Sequence, residues 1–164
     1  LKAEEFKLDG KKLALRTTAE AEDEKVTLVL PETFMNKSGN ALTPLIASVK
    51  KAEKLIVIYD DMDLPLGKLK VSFGRNSGGH KGVESVARAL KTKDFVRVRV
   101  GVSPHTPGGK IKKPTGEDVV DAFLMKKFSP SEQKEITNSL KRAGEAALAV
   151  ILQGRERAMG TFNQ

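Results

Sequence analysis

The pattern of apolar and polar positions divides the chain into short strands and helices. Residues 95–102, FVRVRVGV, alternate strictly, so the valines are predicted to face one side of a strand and the arginines the other. Residues 55–59, LIVIY, are continuously apolar, which is typical of a strand buried on both faces. The other predicted strands are residues 12–17, 25–30 and 67–73, and an acidic turn at 18–24 joins the first two.

Helical spacing of apolar residues identifies the helices. Residues 82–90 place Val83, Val86 and Leu90 on one face. Residues 129–153 form a long helix that begins with Ser129 as N-cap and Pro130 at the first helical position. A further helix is predicted at 41–49 and a flexible connection at 110–116. Strands alternating with helices predict an α/β fold, a mixed sheet flanked by helices, in a single domain over residues 1–164.

Composition narrows the range of functions. The 164 residues are enough for one sizeable core, and no apolar run has the length of a membrane-spanning helix. The absence of cysteine excludes disulfides and thiolate metal sites and suits a reducing compartment. Two histidines are too few for a histidine-rich metal centre.

Positive charge is concentrated in one part of the chain. Residues 66–113 contain twelve basic and two acidic residues, hence a charge of +10, which leaves −2 for the remainder of the total of +8. A basic segment on an otherwise balanced protein is typical of a protein that binds a polyanion. The alternative is a solvated surface that only keeps the protein soluble.

Three loops follow predicted strands, and sites of open α/β sheets gather at the carboxyl ends of strands. The loops are residues 33–39, 60–63 and 74–82. In the second, Asp60 closes a buried strand and is able to orient and polarise a histidine; the alternative is an aspartate that caps a turn. Asp60, Asp61 and Asp63 together are also a candidate Mg²⁺ site, although no second acidic cluster completes it.

The third loop, GRNSGGHKG, is neither a P-loop nor a dinucleotide-binding loop. Its glycines leave backbone N–H groups open to an anion or a carbonyl group, or they simply permit a tight turn. His80, beside Lys81, is a candidate substrate contact, although a lone histidine is more often structural.

The first loop places an amide beside two large apolar side chains. Asn36 offers both a donor and an acceptor, which align a peptide-like group, while Phe34 and Met35 wall an apolar slot. The alternative is a helix cap at Asn36 or Ser38, with Phe34 and Met35 in the core.

These segments, in this order and spacing, resemble bacterial-type peptidyl-tRNA hydrolase from about residue 26 to 133. The resemblance is carried by TFMNKSGNAL, IYDDMDLPLGKLK, GGHKGVESV, VRVRVGV and FSPSEQ. It implies a peptidyl-tRNA hydrolase-like (phosphorylase/hydrolase-like) sandwich, and cleavage of the ester between a peptide and the tRNA 3′ ribose without a metal or other cofactor. The implied partner is peptidyl-tRNA, with no membrane, and the family norm is a monomer.

The resemblance also implies roles for individual residues. Asp60 would orient the catalytic histidine, and Asn36 would bind substrate and help to place the water. Phe34, Met35, Gly78, Gly79, His80 and Lys81 would contact the substrate, and Lys68, Lys70 and Arg99 would lie near the tRNA backbone.

The chain departs from the family pattern at its beginning. The family's first strand and loop, G-L-G-N-P-G…Y…T-R-H-N, supply the catalytic histidine, and nothing like them occurs here. Lys81 replaces the usual asparagine after GGH, and Ser72 stands where a basic residue is common. We therefore expect that an N-terminal segment is missing from this chain, which alone would be inactive or impaired. The alternative is that the protein is a non-catalytic RNA-binding relative on the same fold. The expected compartment is cytoplasmic or mitochondrial.

Overall fold

The computed structural model describes residues 2–11, 13–106, 110–114 and 116–164. These residues form seven strands, one 3₁₀ helix and five α-helices. In chain order they are β1 (Lys2–Ala3), β2 (Lys7–Leu8), β3 (Ala14–Ala21), β4 (Glu24–Pro31), the 3₁₀ helix (Met35–Ala41), α1 (Val49–Ala52), β5 (Ile56–Pro65), β6 (Leu69–Phe73), α2 (Lys81–Leu90), β7 (Val96–Ser103), α3 (Glu117–Leu124), α4 (Pro130–Gln153) and α5 (Arg155–Phe162).

The first sheet is antiparallel and is built around the hairpin of β3 and β4. The strands pair in register from Ala14 opposite Pro31 to Ala21 opposite Glu24, and β1 and β2 lie along the other side of β3. Both hairpin strands extend into residues 18–24, which the sequence predicted as an acidic turn. The turn itself consists of two residues, Glu22 and Asp23. Glu22 occupies the left-handed region there, at φ 52°.

The second sheet is mixed and has the order β5–β7–β6. β5 and β7 are parallel, whereas β6 is antiparallel to β7. The α/β class and the mixed sheet flanked by helices are confirmed, although the described strands form two sheets because no described strand bridges β4 and β5.

The expectation that LIVIY is buried on both faces is wrong. Among the described strands β5 pairs only with β7, so it lies at an edge of its sheet, and Ile58 is 47% exposed. The strand also continues through Asp60–Asp63, which the sequence predicted as a loop.

Two apolar clusters cover the faces of the second sheet. On one face, Val96, Val98 and Val100 pack with residues of α4, including Ile136 and Ala143. The other cluster joins α2 to the start of the sheet through Val83, Val86, Leu90 and Phe95. These two clusters hold the carboxyl end of β5 and the start of α2 in fixed positions.

Arg97 is on the side of β7 opposite the valines, as predicted, but it is fully buried. Its Nη1 donates to the carbonyl oxygen of Asn76 at 2.7 Å, and its guanidinium lies 4.7 Å from the ring centre of Phe95. Burial lowers the pKa of Arg97. The side chain therefore ties the glycine-rich loop to the centre of the sheet.

The predicted helix at 41–49 is wrong. The 3₁₀ helix ends at Ala41, turns follow, and α1 begins only at Val49, where Ser48 accepts a hydrogen bond from the amide of Lys51. Pro44 explains the break, since proline lacks the N–H that a helix needs and restricts the residue before it.

The long C-terminal helix is confirmed. Ser129 accepts from the amide of Glu132, and the Glu132 carboxylate accepts from the amide of Ser129, which is a complete capping box. No helix of the described residues has the length and apolar character needed to cross a membrane.

The connection at 110–116 lies partly outside the described residues, since Thr115 is not among them. Where it is described, it runs back over the strand ends. His105 and Ile111 form an isolated antiparallel bridge, and Lys113 makes an ion pair with Asp63 at 2.5 Å.

Candidate active site

The middle of β5 and the start of α2 bring Asp60 and His80 together. His80 Nε2 lies 3.2 Å from Asp60 Oδ1. His80 is also the N-cap of α2, and its Nδ1 accepts hydrogen bonds from the amides of Gly82 and Val83, both at 3.1 Å. Because Nδ1 acts as an acceptor, Nε2 carries the proton and donates a hydrogen bond to Asp60.

This contact sets the charge of Asp60. The hydrogen bond from His80 lowers the pKa of Asp60, against the opposing effect of its burial, so the group is a carboxylate at neutral pH. Tyr59 packs edge-on against the imidazole, with ring centres 4.8 Å apart, and helps to fix its orientation. One carboxylate oxygen is thus held by His80, while the side chain stays 37% exposed.

The same geometry limits what His80 is able to do. Its two ring nitrogens are both engaged, one by backbone amides and the other by Asp60. A general base needs a free nitrogen lone pair within reach of water. In this arrangement His80 orients Asp60 and caps α2 rather than accepting a proton.

Sequence reasoning missed the pairing of His80 with Asp60. It placed both residues at the same edge and expected Asp60 to orient a histidine, but assigned that histidine to a different segment. The available signal was the position of His80 immediately before α2, because a side chain that caps a helix has a fixed direction.

The 3₁₀ helix lies against α2. The amide of Gly39 donates to Ser85 Oγ at 3.1 Å, and a Cβ on Gly39 would lie 2.3 Å from the Ser85 carbonyl oxygen, so only glycine fits. Met35 packs on the start of α2, where a Cβ on Gly82 would lie 2.5 Å from its sulfur. This packing brings the first and third loops together, as the sequence predicted.

The polar and aromatic neighbours of Met35 are exposed. Asn36 is exposed on the 3₁₀ helix, and Phe34 is 79% exposed. Phe34 borders an open cleft of about 430 Å³ whose other lining residues are Leu13, Glu32, Thr33 and Lys37. The alternative that Phe34 and Met35 belong to the core is wrong, because both are exposed.

The glycine-rich loop is left-handed at two successive residues. Gly78 and Gly79 have φ values of 63° and 85°, which other residues adopt only with strain. A Cβ on Gly79 would meet no atom within 4 Å, so this part of the backbone is accessible. Lys81 Nζ lies 3.6 Å from the Asp121 carboxylate of α3.

The three carboxylates of the second loop have three different partners. Asp60 meets His80, Asp61 binds Arg99 at 2.6 Å and Asp63 binds Lys113. Within the described ranges, no three acidic or histidine side chains are grouped so that they could share a metal ion. The geometry therefore does not favour the alternative Mg²⁺ site.

Comparison with known proteins identifies relatives of this chain. The family model described as peptidyl-tRNA hydrolase matches residues 2–164. A peptidyl-tRNA hydrolase of Caldanaerobacter subterraneus subsp. tengcongensis is 40% identical over 141 residues, which are 85% of this chain and 71% of the relative. One from Thermodesulfovibrio yellowstonii is 34% identical over 146 residues, 87% of this chain and 73% of the relative.

The chain belongs to the peptidyl-tRNA hydrolase family.

Solved structures agree on the fold. A crystal structure of peptidyl-tRNA hydrolase from Acinetobacter baumannii superposes with a TM-score of 0.78 at 24% identity, and the match covers 97% of this chain and 76% of that one. A complex of peptidyl-tRNA hydrolase with N-propanol gives a TM-score of 0.81, also at 24% identity and with the same coverage.

The residues that the family resemblance places near tRNA lie on β7, on β6 and immediately before β6. Lys68 and Lys70 are exposed, and Lys70 is directly across from Arg99 in the sheet. Arg99 is bound to the buried Asp61; burial alone would lower its pKa, but the hydrogen bond and charge of Asp61 raise it. Arg99 is thus held by Asp61, beside the exposed Lys70.

Proposed function

We propose that this protein hydrolyses the ester bond of peptidyl-tRNA at the edge where Asp60 meets His80, releasing the peptide and free tRNA. It is a member of the peptidyl-tRNA hydrolase family, and the reaction is that of a carboxylic ester hydrolase. Water adds to the ester carbonyl, the bond to the ribose oxygen breaks, and the proton lost by water passes through a base to that oxygen. The observation that carries the proposal is the ionised, half-exposed Asp60 held by His80.

Asp60 serves as the orienting carboxylate. His80 occupies Oδ1, so Oδ2 is the oxygen that accepts a hydrogen bond from the base that activates water. His80 itself is not that base, because both its nitrogens are engaged. The family resemblance implies a histidine from sequence before Leu1, and this stays a prediction.

The surrounding loops bind the peptide end of the substrate. Asn36 aligns the ester or the water through its amide, and Met35 and Phe34 offer apolar contacts that do not depend on peptide sequence. Gly78 and Gly79 present open backbone to the peptide, with His80 and Lys81 beside them. Such contacts bind the backbone that all peptides share, so they do not depend on the peptide sequence.

Lys68, Lys70 and Arg99 hold the tRNA backbone. Lys70 on β6 is paired with Arg99 on β7, and Lys68 immediately precedes β6. Phosphate contacts position a nucleic acid without reading its sequence. The protein acts as a monomer without a cofactor, in the cytoplasm or in mitochondria.

The second candidate is an RNA-binding protein without hydrolytic activity on the same fold. One observation favours it: next to Asp60, the described residues offer a histidine whose nitrogens are already engaged. In that case the basic surfaces bind tRNA and the ester stays intact.

Release of peptide from a model peptidyl-tRNA, measured with EDTA present and alongside tRNA binding, separates the two candidates. The protein expressed from its complete gene is expected to bind tRNA and release peptide; binding without release would select the RNA-binding candidate. The 164-residue chain, assayed in parallel, is expected to bind tRNA but release peptide slowly. Equal rates would show that no upstream histidine is needed.

A further inference from the structure

A second basic surface lies at the end of the mixed sheet where β5 and β7 begin, away from Asp60. β5 and β7 begin side by side, with Ile56 in register with Val96, and the amide of Val96 donates to the Leu55 carbonyl at 3.0 Å. β6 ends at the same edge, since Phe73 also pairs with Val96. Ile56 and Asp60 are four residues apart on one strand, about 13 Å. The surface at the start of β5 is therefore separate from the candidate active site at Asp60.

Three chain segments meet at this second edge. They are α1 with the turn after it, the turn that leads from α2 into β7, and the residues after β6. The last two lie close together, since a Cβ on Gly74 would lie 3.4 Å from the Asp94 carboxylate. Together they carry six exposed cations, which we call the strand-start surface: Lys50, Lys51, Lys54, Arg75, Lys91 and Lys93. The acids of these segments are Glu53 and Asp94, so the surface has a net charge of +4.

These charges are not neutralised by neighbouring carboxylates. In the part of the chain that the structure describes, none of the six takes part in an ion pair, whereas Arg16, Arg99 and Lys113 all do. Lys93 donates to the amide oxygen of Asn76 at 2.7 Å, which leaves its charge uncompensated. The charges repel one another unless an external anion approaches.

Lys91 has a backbone conformation that is unfavourable for lysine. It follows α2 in the left-handed conformation, at φ 55°, where glycine or asparagine is favoured. The negative end of the helix attracts one cation, but it does not account for five others on the same surface.

The arrangement fits an extended polyanion. The cations come from segments at the ends of three adjacent strands, which span about 10 Å, and so they do not converge on one point. Lysine is a mobile point charge that binds phosphate without strict geometry. An RNA backbone presents phosphates along such a distance.

β6 connects this surface to the tRNA contacts proposed above. Lys68 immediately precedes β6, Lys70 is its second residue and Arg75 follows its end; all three are exposed. The seven residue steps from Lys68 to Arg75 span at most about 23 Å. Exposed cations therefore lie near both ends of β6, which favours one long ligand over two separate ones.

We propose that the strand-start surface binds the phosphate backbone of the tRNA body, away from the acceptor end that is cleaved. This inference rests on the proposed function. The binding energy contributed by this remote part of the substrate holds the acceptor end at the site where the ester reacts.

The test compares tRNA with a short oligonucleotide that ends in CCA, using wild type and the variant R75Q/K91G/K93Q. K91G keeps the left-handed position favourable, so the fold is retained, and thermal unfolding verifies this. The control variant K7Q/K25Q/K134Q removes the same charge from exposed lysines elsewhere. The dissociation constant of each RNA is measured over a series of salt concentrations.

The variant is expected to bind tRNA about tenfold more weakly, with a salt slope reduced by about two to three, and to bind the oligonucleotide as wild type does. Equal loss on both RNAs, or a loss no larger than that of the control, would overturn the inference. So would unchanged tRNA binding with weakened binding of a ribosomal RNA fragment, which would assign the surface to another RNA. Because the readout is binding, wild-type binding without peptide release would overturn only the proposed function.

Discussion

His80 donates a hydrogen bond from Nε2 to Asp60 Oδ1 across 3.2 Å while two backbone amides hold its other nitrogen. One side chain therefore caps α2 and also holds the carboxylate of Asp60 in the middle of β5. The position of Asp60 depends on the helix being formed, which couples the candidate active site to the core cluster around Val83 and Val86.

Substituting His80 separates its two roles. Asparagine is a good N-cap, so H80N is expected to retain α2 but to lose the hydrogen bond to Asp60. The pKa of Asp60 should then rise towards the ordinary value, since this bond is the largest cause of its lowering. H80A should show the same rise and lose about 1 kcal/mol more of unfolding free energy, because the cap is lost as well. NMR titration of the Asp60 carboxyl carbon measures the shift, and an unchanged pKa in H80N would contradict the assignment.

The lowered pKa of Asp60 also gives stability a pH dependence. Its contribution is complete above the ordinary carboxyl pKa of the unfolded chain and is lost as pH falls through the lower pKa of the folded state. Wild type should therefore exceed H80N in unfolding free energy at neutral pH, and the difference should shrink in acid. Urea denaturation at a series of pH values measures the unfolding free energy of both proteins. An advantage of wild type over H80N that grew in acid would contradict the prediction.

The pair of Asp61 and Arg99 is expected to be important for stability. D61A leaves the guanidinium without its carboxylate and the amide of Asp63 without its acceptor, which should cost about 3 kcal/mol. The control E84A breaks the exposed pair with Arg88 and should change the unfolding free energy by less than about 0.5 kcal/mol. Urea denaturation measures the unfolding free energy of both variants. Similar losses would mean that the buried pair stabilises the fold no more than the exposed pair does.

Asn163 closes the outer edge of β6. Its side chain accepts from the amide of Val71 at 2.7 Å and donates to the carbonyl of the same residue at 2.9 Å, as a neighbouring strand would. N163A should lower the unfolding free energy by about 1–2 kcal/mol and remove the protection of the Val71 amide from hydrogen exchange. Q164A alters the adjacent exposed side chain and should leave that amide protected.

Lys68 and Lys70 are expected to act on binding rather than on turnover. K68A and K70A should each weaken tRNA binding and reduce its salt slope by about one unit, because each removes one phosphate contact. K134A, on the exposed side of α4, serves as the control. A slope unchanged in both variants would remove these lysines from the tRNA interface.

Elements with a strong local signal could be predicted from the sequence. The alternation of β7 follows from its strict valine–arginine pattern, and α4 from Ser129, Pro130 and Glu132 at its start. These features depend on neighbouring residues alone. The glycine-rich loop was likewise placed correctly, because it directly precedes an amphipathic helix.

Features that depend on tertiary partners could not be predicted. LIVIY has the composition of a central strand, but its burial depends on which strands pair with it. Residues 41–49 contain enough apolar residues for a helix, yet Pro44 and the packing of Gly39 on Ser85 direct the backbone otherwise. Asp60 and His80 are 20 residues apart, and only the packing of α2 against the sheet brings them together.

The most direct test is single-turnover release of peptide from peptidyl-tRNA, with EDTA present, by the protein expressed from its complete gene and by its D60N variant. The neutral amide of D60N cannot act as the charged orienting group, so release should slow by roughly 100-fold or more while the tRNA dissociation constant and the fold stay unchanged. Equal release rates for wild type and D60N would contradict the central claim that the reaction takes place at Asp60.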